Sequence, residues 1–397
     1  MRVGQMVRQL CRPCSAVVHD RRLEAVVTVA EAIVAAERLS VTAVGRAVDS
    51  GTFPKHSIKR VDRLLSNPRM QRERWLYFQA LAKQVIGDHP RPIVLLDWTK
   101  VTGDFHALVA AAPADGRALT FYEEVHPEKH LGNPRVQARF LRRLRDVLPI
   151  GSRPIIVTDA GFRGPFFHEL HALGWDFVGR LRSNTKMQAL GQTDWTNVPA
   201  LYATATQRAR RLGGFRLFRT RRRLTANLVL VGPRRYPHKH PWRGRSSGRG
   251  GLCAKTVAGA KEPWLLVTSL DHRAKRIVRI YAKRMQIEET FRDTKNSRFG
   301  WCLRHARGHS AARLTVLLLL AAIAMLAVIL VGIVAEAAGI RWKFQANTVS
   351  SRVLSLFVLG LEILRRSRRV RLGNVVRDGL KHLRSLQRAI LEAEPTP

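Results

Sequence analysis

Carboxylates are scarce in this chain: 29 Asp and Glu stand against 69 Lys and Arg, and the formal net charge is +40. A folded protein carries that self-repulsion more easily when its working partner is a polyanion. Nucleic acid comes first, because neutralising phosphates with Lys and Arg releases condensed counterions; a ribosome-associated protein or an anionic membrane also fits. Charge therefore names a class of partner and not a reaction. Cysteine is rare too, with four in 397 residues. Cys11-Arg-Pro-Cys14 has a zinc-knuckle spacing, but no second CxxC or His pair at finger spacing follows it, so free thiols are expected rather than a metal site. The chain has no internal repeats. Its N-terminus lacks the charged, apolar and small-residue segments of a secretory leader. What it has in quantity is apolar surface: hydrophobic residues make up 46% of the chain, which suits a globular protein of two or three domains.

One feature points towards a membrane. Leu314 to Ala335 is a run of 22 residues without a charge. As a helix it would be about 33 Å long, enough to cross a bilayer. A central helix buried on all sides in a large α/β domain has the same composition. Arg307 and Arg313 before the run and Arg341 and Lys343 after it give no positive-inside asymmetry. On these features both readings stand; the catalytic reading below favours a buried core helix and no membrane partner.

The first 78 residues read as a helical DNA-binding domain. An apolar stripe of Leu23, Val26, Val27, Ala30, Ile33 and Val34 predicts one helix, and Ser40 is placed to cap a short second one. After Phe53-Pro54, the segment KHSIKRVDRLL turns Ile58, Val61, Leu64 and Leu65 inward and Lys55, Lys59, Arg60 and Arg63 outward. A short helix, a Gly-containing turn and a basic amphipathic helix suit a helix-turn-helix-like DNA reader, with Lys55, Lys59 and Arg60 as contacts. An ordinary helical hairpin with a solvated basic face is the alternative.

Residues 79–182 change texture. Pro92 to Asp97 reads as a buried strand ending on an acid, followed by strands over Phe105–Ala112 and Leu119–Val125 around the turn Pro113-Ala114-Asp115-Gly116. A helix over Asn133–Leu148 leads to Pro154–Asp159, a fourth strand again ending on an acid, then a helix and a fifth strand from Trp175. Three strands followed by alternating helix and strand is the order of an α/β, ribonuclease-H-like catalytic core. Residues 183–263 read as a β-rich insertion with a basic, Gly- and Ser-rich loop; residues 264–344 return to the core, and residues 345–397 form a helical, Arg-rich C-terminal region. A single long helix is expected from about His272 to Asn296.

Two acids at the ends of apolar strands, Asp97 and Asp159, need a compensating cation. Thr99 and Lys100, just past the first acid, are taken as turn-lining. On the expected helix, Tyr281, Arg284, Glu288 and Lys295 fall within about 60° of one another, and Arg292 joins them. Arg284 and Glu288 by themselves would make an ordinary ion pair. That explains neither Tyr281 nor Lys295. Glu289 is rotated by about 100° and is set aside.

The pattern Y-x2-R-x3-E-x6-K, intact here as Tyr281, Arg284, Glu288 and Lys295, resembles the signature of bacterial DDE transposases of the insertion-sequence-four family. LLDWT around Asp97 and TDAGF around Asp159 resemble that family's other two blocks, in the same order. The resemblance implies a cut-and-paste DNA transposase whose catalytic and metal-binding residues are Asp97, Asp159 and Glu288, with two Mg2+ or Mn2+ ions per active site. It also implies double-stranded DNA (transposon ends and target) as partner, bound by a homodimer in the cytoplasm, at the nucleoid. Water would nick the end and the freed 3′-hydroxyl would attack the opposite strand to form a hairpin, which is reopened before attack on the target. Tyr281, Arg284 and Lys295 would hold end phosphates, with Arg292 assisting, and a flipped base would stack on Trp264 or Trp242. A nuclease of the same fold that cuts without joining, and a non-catalytic DNA-binding descendant of a transposase, are the alternative readings.

Overall fold

The uncharged run resolves into one helix, Ala311–Ala337, whose apolar stretch is buried throughout. A helix that is hydrophobic all round has no face to offer water, so other elements of the chain must surround it. The structure, a computed structural model, describes residues 3–220, 222–233, 262–298, 300–306, 308–366 and 372–392. The chain divides into two compact units, residues 1–155 with 283–397, and residues 156–282. Both mix helix and strand.

The first unit opens with helices α1 (Val3–Cys11), α2 (Asp20–Ala36), α3 (Val41–Arg46), α4 (Pro54–Ser66) and α5 (Pro68–Ile86). Their starts follow from local chemistry. The Ser40 hydroxyl accepts from Ala43 N at 3.2 Å, and Asn67 Oδ1 accepts from Arg69 N at 2.9 Å, satisfying backbone donors that have no intrahelical partner. Gly45 brings α3 onto α4, since a Cβ there would lie 2.5 Å from Ile58 Cα. On α4, Val61, Leu64 and Leu65 are buried while Lys55, Lys59, Arg60 and Arg63 are exposed, as the amphipathic pattern requires. Cys11 and Cys14 are buried free thiols; burial pushes the Cys14 thiol up to about 12.

Three strands follow, β1 (Ile93–Thr102), β2 (Phe105–Pro113) and β3 (Ala118–Pro127), paired antiparallel in the order β3-β2-β1. β1 does not stop at the acid. It runs on to Thr102 because its second half pairs with β2, so Asp97 lies mid-strand, opposite Val109. Helix α6 (Pro134–Val147) comes next, capped by Asn133.

The second unit takes up β4 (Ile155–Thr158), α7 (Gly164–Ala172), β5 (Asp176–Arg180), β6 (Lys186–Ala189), β7 (Thr196–Asn197), α8 (Val198–Tyr202), β8 (Arg210–Leu217), β9 (Leu224–Val231), β10 (Trp264–Thr268) and α9 (Ala274–Ala282). Its strands lie in the order β4-β5-β10-β9-β8-β6-β7. Residues 234–261, which carry Trp242, Cys253 and nearly all of the basic loop, are outside the described residues.

The chain re-enters the first unit with α10 (Met285–Lys295), then the buried helix, α11 (Ala311–Ala337), and closes with α12 (Leu356–Arg365) and α13 (Val375–Glu392). The helix expected over His272–Asn296 is therefore two helices, α9 and α10. The ladder tightens at the junction, where Gln286 N bonds Lys283 O at 2.9 Å and Ile287 N bonds Arg284 O at 3.2 Å. α11 packs against α2, α5, β3, α12 and α13. Its buried Thr315 is satisfied: Oγ1 accepts from Val125 N at 3.3 Å and donates to Ala311 O at 2.8 Å.

Candidate active site

In the first unit, β1 and α10 bring together three of the residues singled out in the sequence. Asp97 projects from the middle of β1, its Oδ1 accepting from Trp98 N at 2.8 Å. Arg284 Nη1 lies 3.6 Å from Asp97 Oδ2 and 2.6 Å from Glu288 Oε1. One guanidinium thus spans both carboxylates, which places the two oxygens within about 6 Å of each other. The Arg284 and Asp97 side chains are nearly buried, whereas Glu288 is about a third exposed. Two acids meeting at one buried cation is more than the helical i,i+4 pair, because β1 supplies the second acid.

Two turns further on, Lys295 Nζ donates to Thr99 Oγ1 at 2.5 Å. Thr99 sits in β1 on the same face as Asp97, two residues away, and not in a turn; the extension of the strand changes its role. Burial pushes the Lys295 ammonium down to about 8, helped by the Arg304 charge and opposed by Asp97. Glu289, by contrast, points away and pairs with the exposed Arg292 at 2.6 Å.

What holds α10 on the strands was not read from the sequence. Thr290 Oγ1 accepts from Ala118 N and donates to Ala118 O, both at 2.9 Å. Asp293 accepts from Arg117, whose Nη2 lies 3.2 Å from Asp293 Oδ1. Burial raises the Asp293 carboxyl despite the arginine, so the pair is costly to half-remove. We expect Asp293→Ala to cost about 3 kcal/mol, by stranding the buried Arg117, and to lower activity through displacement of α10. Urea unfolding of the variant measures this, and Arg117→Met with Asp293→Ala together should recover part of the loss. The signal available in the sequence was faint: an acid on the inward side of an amphipathic helix.

Beside Glu288 the first unit carries an open groove of about 600 Å3, lined among others by Arg292, Lys295, Asn296, Arg304 and His305. Arg304 was not singled out in the sequence.

In the second unit, Asp159 follows β4 directly. Its Oδ1 accepts from Gly161 N at 2.7 Å, and a Cβ on Gly161 would lie 2.8 Å from that oxygen, so the tight turn of the TDAGF segment needs glycine there. Arg182 Nε donates to Ala160 O at 2.5 Å and pins the same turn. Tyr281 is buried at 3% exposure, with its ring edge-on to Trp264 at 4.9 Å between centroids. Trp264 itself stands in β10 between β5 and β9. Among the described residues, no three His, Cys, Asp or Glu side chains are gathered closely enough to cage a metal ion.

Paired acids bridged by arginine thus lie beside a cationic groove in the first unit. The chain matches the transposase DDE domain family over residues 88–325, well over half its length, and it belongs to that family. Among solved structures it is similar to a piggyBac transposase synaptic complex with hairpin DNA, at a TM-score of 0.42 and 12% sequence identity, over 100% of this chain and 80% of that one. A comparison with curated proteins finds no match.

Proposed function

We propose that this protein is a DNA transposase of the insertion-sequence-four type, which excises its element by cut-and-paste and joins it to target DNA. Asp97, Asp159 and Glu288 are its catalytic carboxylates, on a ribonuclease-H-like core. The observation that carries the reading is the meeting of Asp97 and Glu288 at Arg284. These are two of the three acids that the family signature singles out, and they come from segments far apart in the chain.

The donor set fits Mg2+ or Mn2+. The position between Asp97 and Glu288 already holds a cation, the Arg284 guanidinium, and hard carboxylate oxygens are the ligands such ions prefer. Asp97, Glu288 and Asp159 would hold a pair of ions, which when bound supply an activated attacking oxygen and a stabilised leaving oxygen. The chain's own cations do the rest. Arg284 is freed to take a phosphate oxygen once its carboxylates have another partner, and its planar fork suits bidentate phosphate binding. Lys295, anchored on Thr99, presents a point charge about two turns along from Glu288. Arg292, Arg304 and His305 line the groove through which a strand would run. The Tyr281 hydroxyl and the Trp264 indole are assigned to the end DNA on the family signature alone.

Double-stranded DNA is the partner, bound by a homodimer, in the cytoplasm at the nucleoid and not at a membrane. Lys55, Lys59 and Arg60, exposed on α4, contact its backbone. Replacing all three by alanine should weaken end-DNA binding and make the slope of log Kd against log salt shallower by roughly 2.7. Titration of binding at several salt concentrations measures it.

A joining assay separates this function from that of a nuclease. Pre-cut duplex carrying the element's terminal repeats is incubated with supercoiled plasmid and Mg2+. We expect single- and double-end insertions into the plasmid, absent in EDTA. Cleavage without any joined product would instead identify a nuclease.

A further inference from the structure

Behind the Lys295–Thr99 contact lies a small cavity of about 40 Å3, walled by β1, β2, β3, α10 and α11. Among the described residues that line it, only Glu123 and Lys295 are ionisable; Thr99, Thr120, Thr290 and Thr294 add hydroxyls, and the others are apolar. Register explains how Glu123 arrives there. Asp97 pairs with Val109, and Val109 pairs with Glu123, so Asp97 and Glu123 project from the same face, two strands apart. Glu123 is 6% exposed, and no described residue hydrogen-bonds or pairs with its carboxyl. Burial alone pushes that carboxyl up to about 8. An unpartnered carboxyl inside a protein is costly, and in a chain with so few acids it needs a reason. The cavity supplies one. A water needs about 10–15 Å3 and two to four polar partners, and this space offers both.

We propose that Glu123 is a positioning residue for Lys295: water in this cavity joins its carboxyl to the lysine side chain and holds the ammonium at Thr99, ready for a DNA phosphate. At a fixed number of protons the pair has two arrangements, which differ in where one proton sits. In one, Glu123 is a neutral acid and Lys295 a neutral amine. In the other, the O–H bond of Glu123 has broken, the proton has crossed the water, and an N–H bond has formed on Lys295. No charge enters or leaves the cavity. A phosphate arriving on the groove side of Lys295 favours the second arrangement. The other titratable groups around Lys295 are Asp97 on β1, His106 on β2, Glu288 and Arg292 on α10, and Arg304 and His305 in the turn after it. Asp97 favours the ammonium and Arg304 disfavours it. The phosphate-binding role of Lys295 is taken from the function proposed above.

The test uses full-length protein without DNA. The Lys295 side chain is followed by 13C NMR across a pH titration and assigned with Lys295→Arg. In Glu123→Gln, Lys295 should lose its proton about tenfold more readily than in the wild type. Superposable titration curves would overturn the proposal, whereas a purely structural role for Glu123 would change the melting temperature and leave the curve in place. Should Glu123→Gln fail to fold, the reciprocal measurement decides. In Lys295→Met, the 13C-labelled Glu123 carboxyl should titrate at higher pH than in the wild type, and an unmoved carboxyl would overturn the proposal. A Lys295→Met protein that binds end DNA as tightly as the wild type would count against the proposed function, not against this coupling.

Discussion

Glu288→Gln should lower cleavage of element-end DNA by on the order of 10³-fold or more while leaving the fold intact, and Glu289→Gln, one position on, should change it by only a few-fold. The contrast is wide because the two neighbours face different things. Glu288 meets Arg284 together with Asp97, at the edge of the cationic groove. Glu289 pairs with the exposed Arg292. Such a surface pair contributes little. The stability of Glu288→Gln should be close to that of the wild type, because the variant leaves Arg284 beside Asp97 and the side chain at position 288 still reaches water. A cleavage assay run beside a thermal melt separates lost chemistry from lost structure. Comparable activity in the two variants would remove Glu288 from the site.

The largest stability effect is expected far from the site. Gly332→Ala and Gly360→Ala should each destabilise the first unit by about 3 kcal/mol or more. α11 and α12 pack against one another through these two glycines. A Cβ at Gly332 would overlap the Leu356 carbonyl, and one at Gly360 would overlap the Val328 carbonyl. In both cases the obstacle is backbone and not the end of a flexible side chain, so neither helix can yield without moving as a body. Alanine is ordinarily the better helix former by about 1 kcal/mol. The clash should overcome that preference. Chemical denaturation of the single and double variants tests this, and the double should cost less than the sum, since one displacement of α12 relieves both contacts.

Much of this was legible in the sequence, and the reasons differ element by element. Helix starts at Ser40 and Asn133 could be read because a cap is a local hydrogen bond between neighbours in the chain. The buried α11 could be read as apolar all round, but its surroundings could not, since the same composition also suits a bilayer. The course of β1 past Asp97 was missed because what extends it is pairing with β2, a non-local interaction that the mixed residues Trp98 to Thr102 do not announce. The break between α9 and α10 was missed for the opposite reason. No Pro or Gly marks Lys283-Arg284, and the apolar period runs through it. Arg284, Glu288 and Lys295 still reach β1 because all three lie beyond the break, whereas Tyr281 lies before it and is buried on Trp264. Glu123 was invisible for a simpler reason. An acid at an alternating position of a strand looks solvated until the register is known, and here that register turns it into a cavity.

The proposed function requires Asp97, Asp159 and Glu288 to share divalent cations. The most direct measurement is Mn2+ binding to the protein on its end DNA, followed by electron paramagnetic resonance, in the wild type and in the three single alanine variants. Each replacement alone is expected to abolish the bound signal and cleavage together. Mn2+ binding and cleavage at wild-type levels in Asp159→Ala would contradict it.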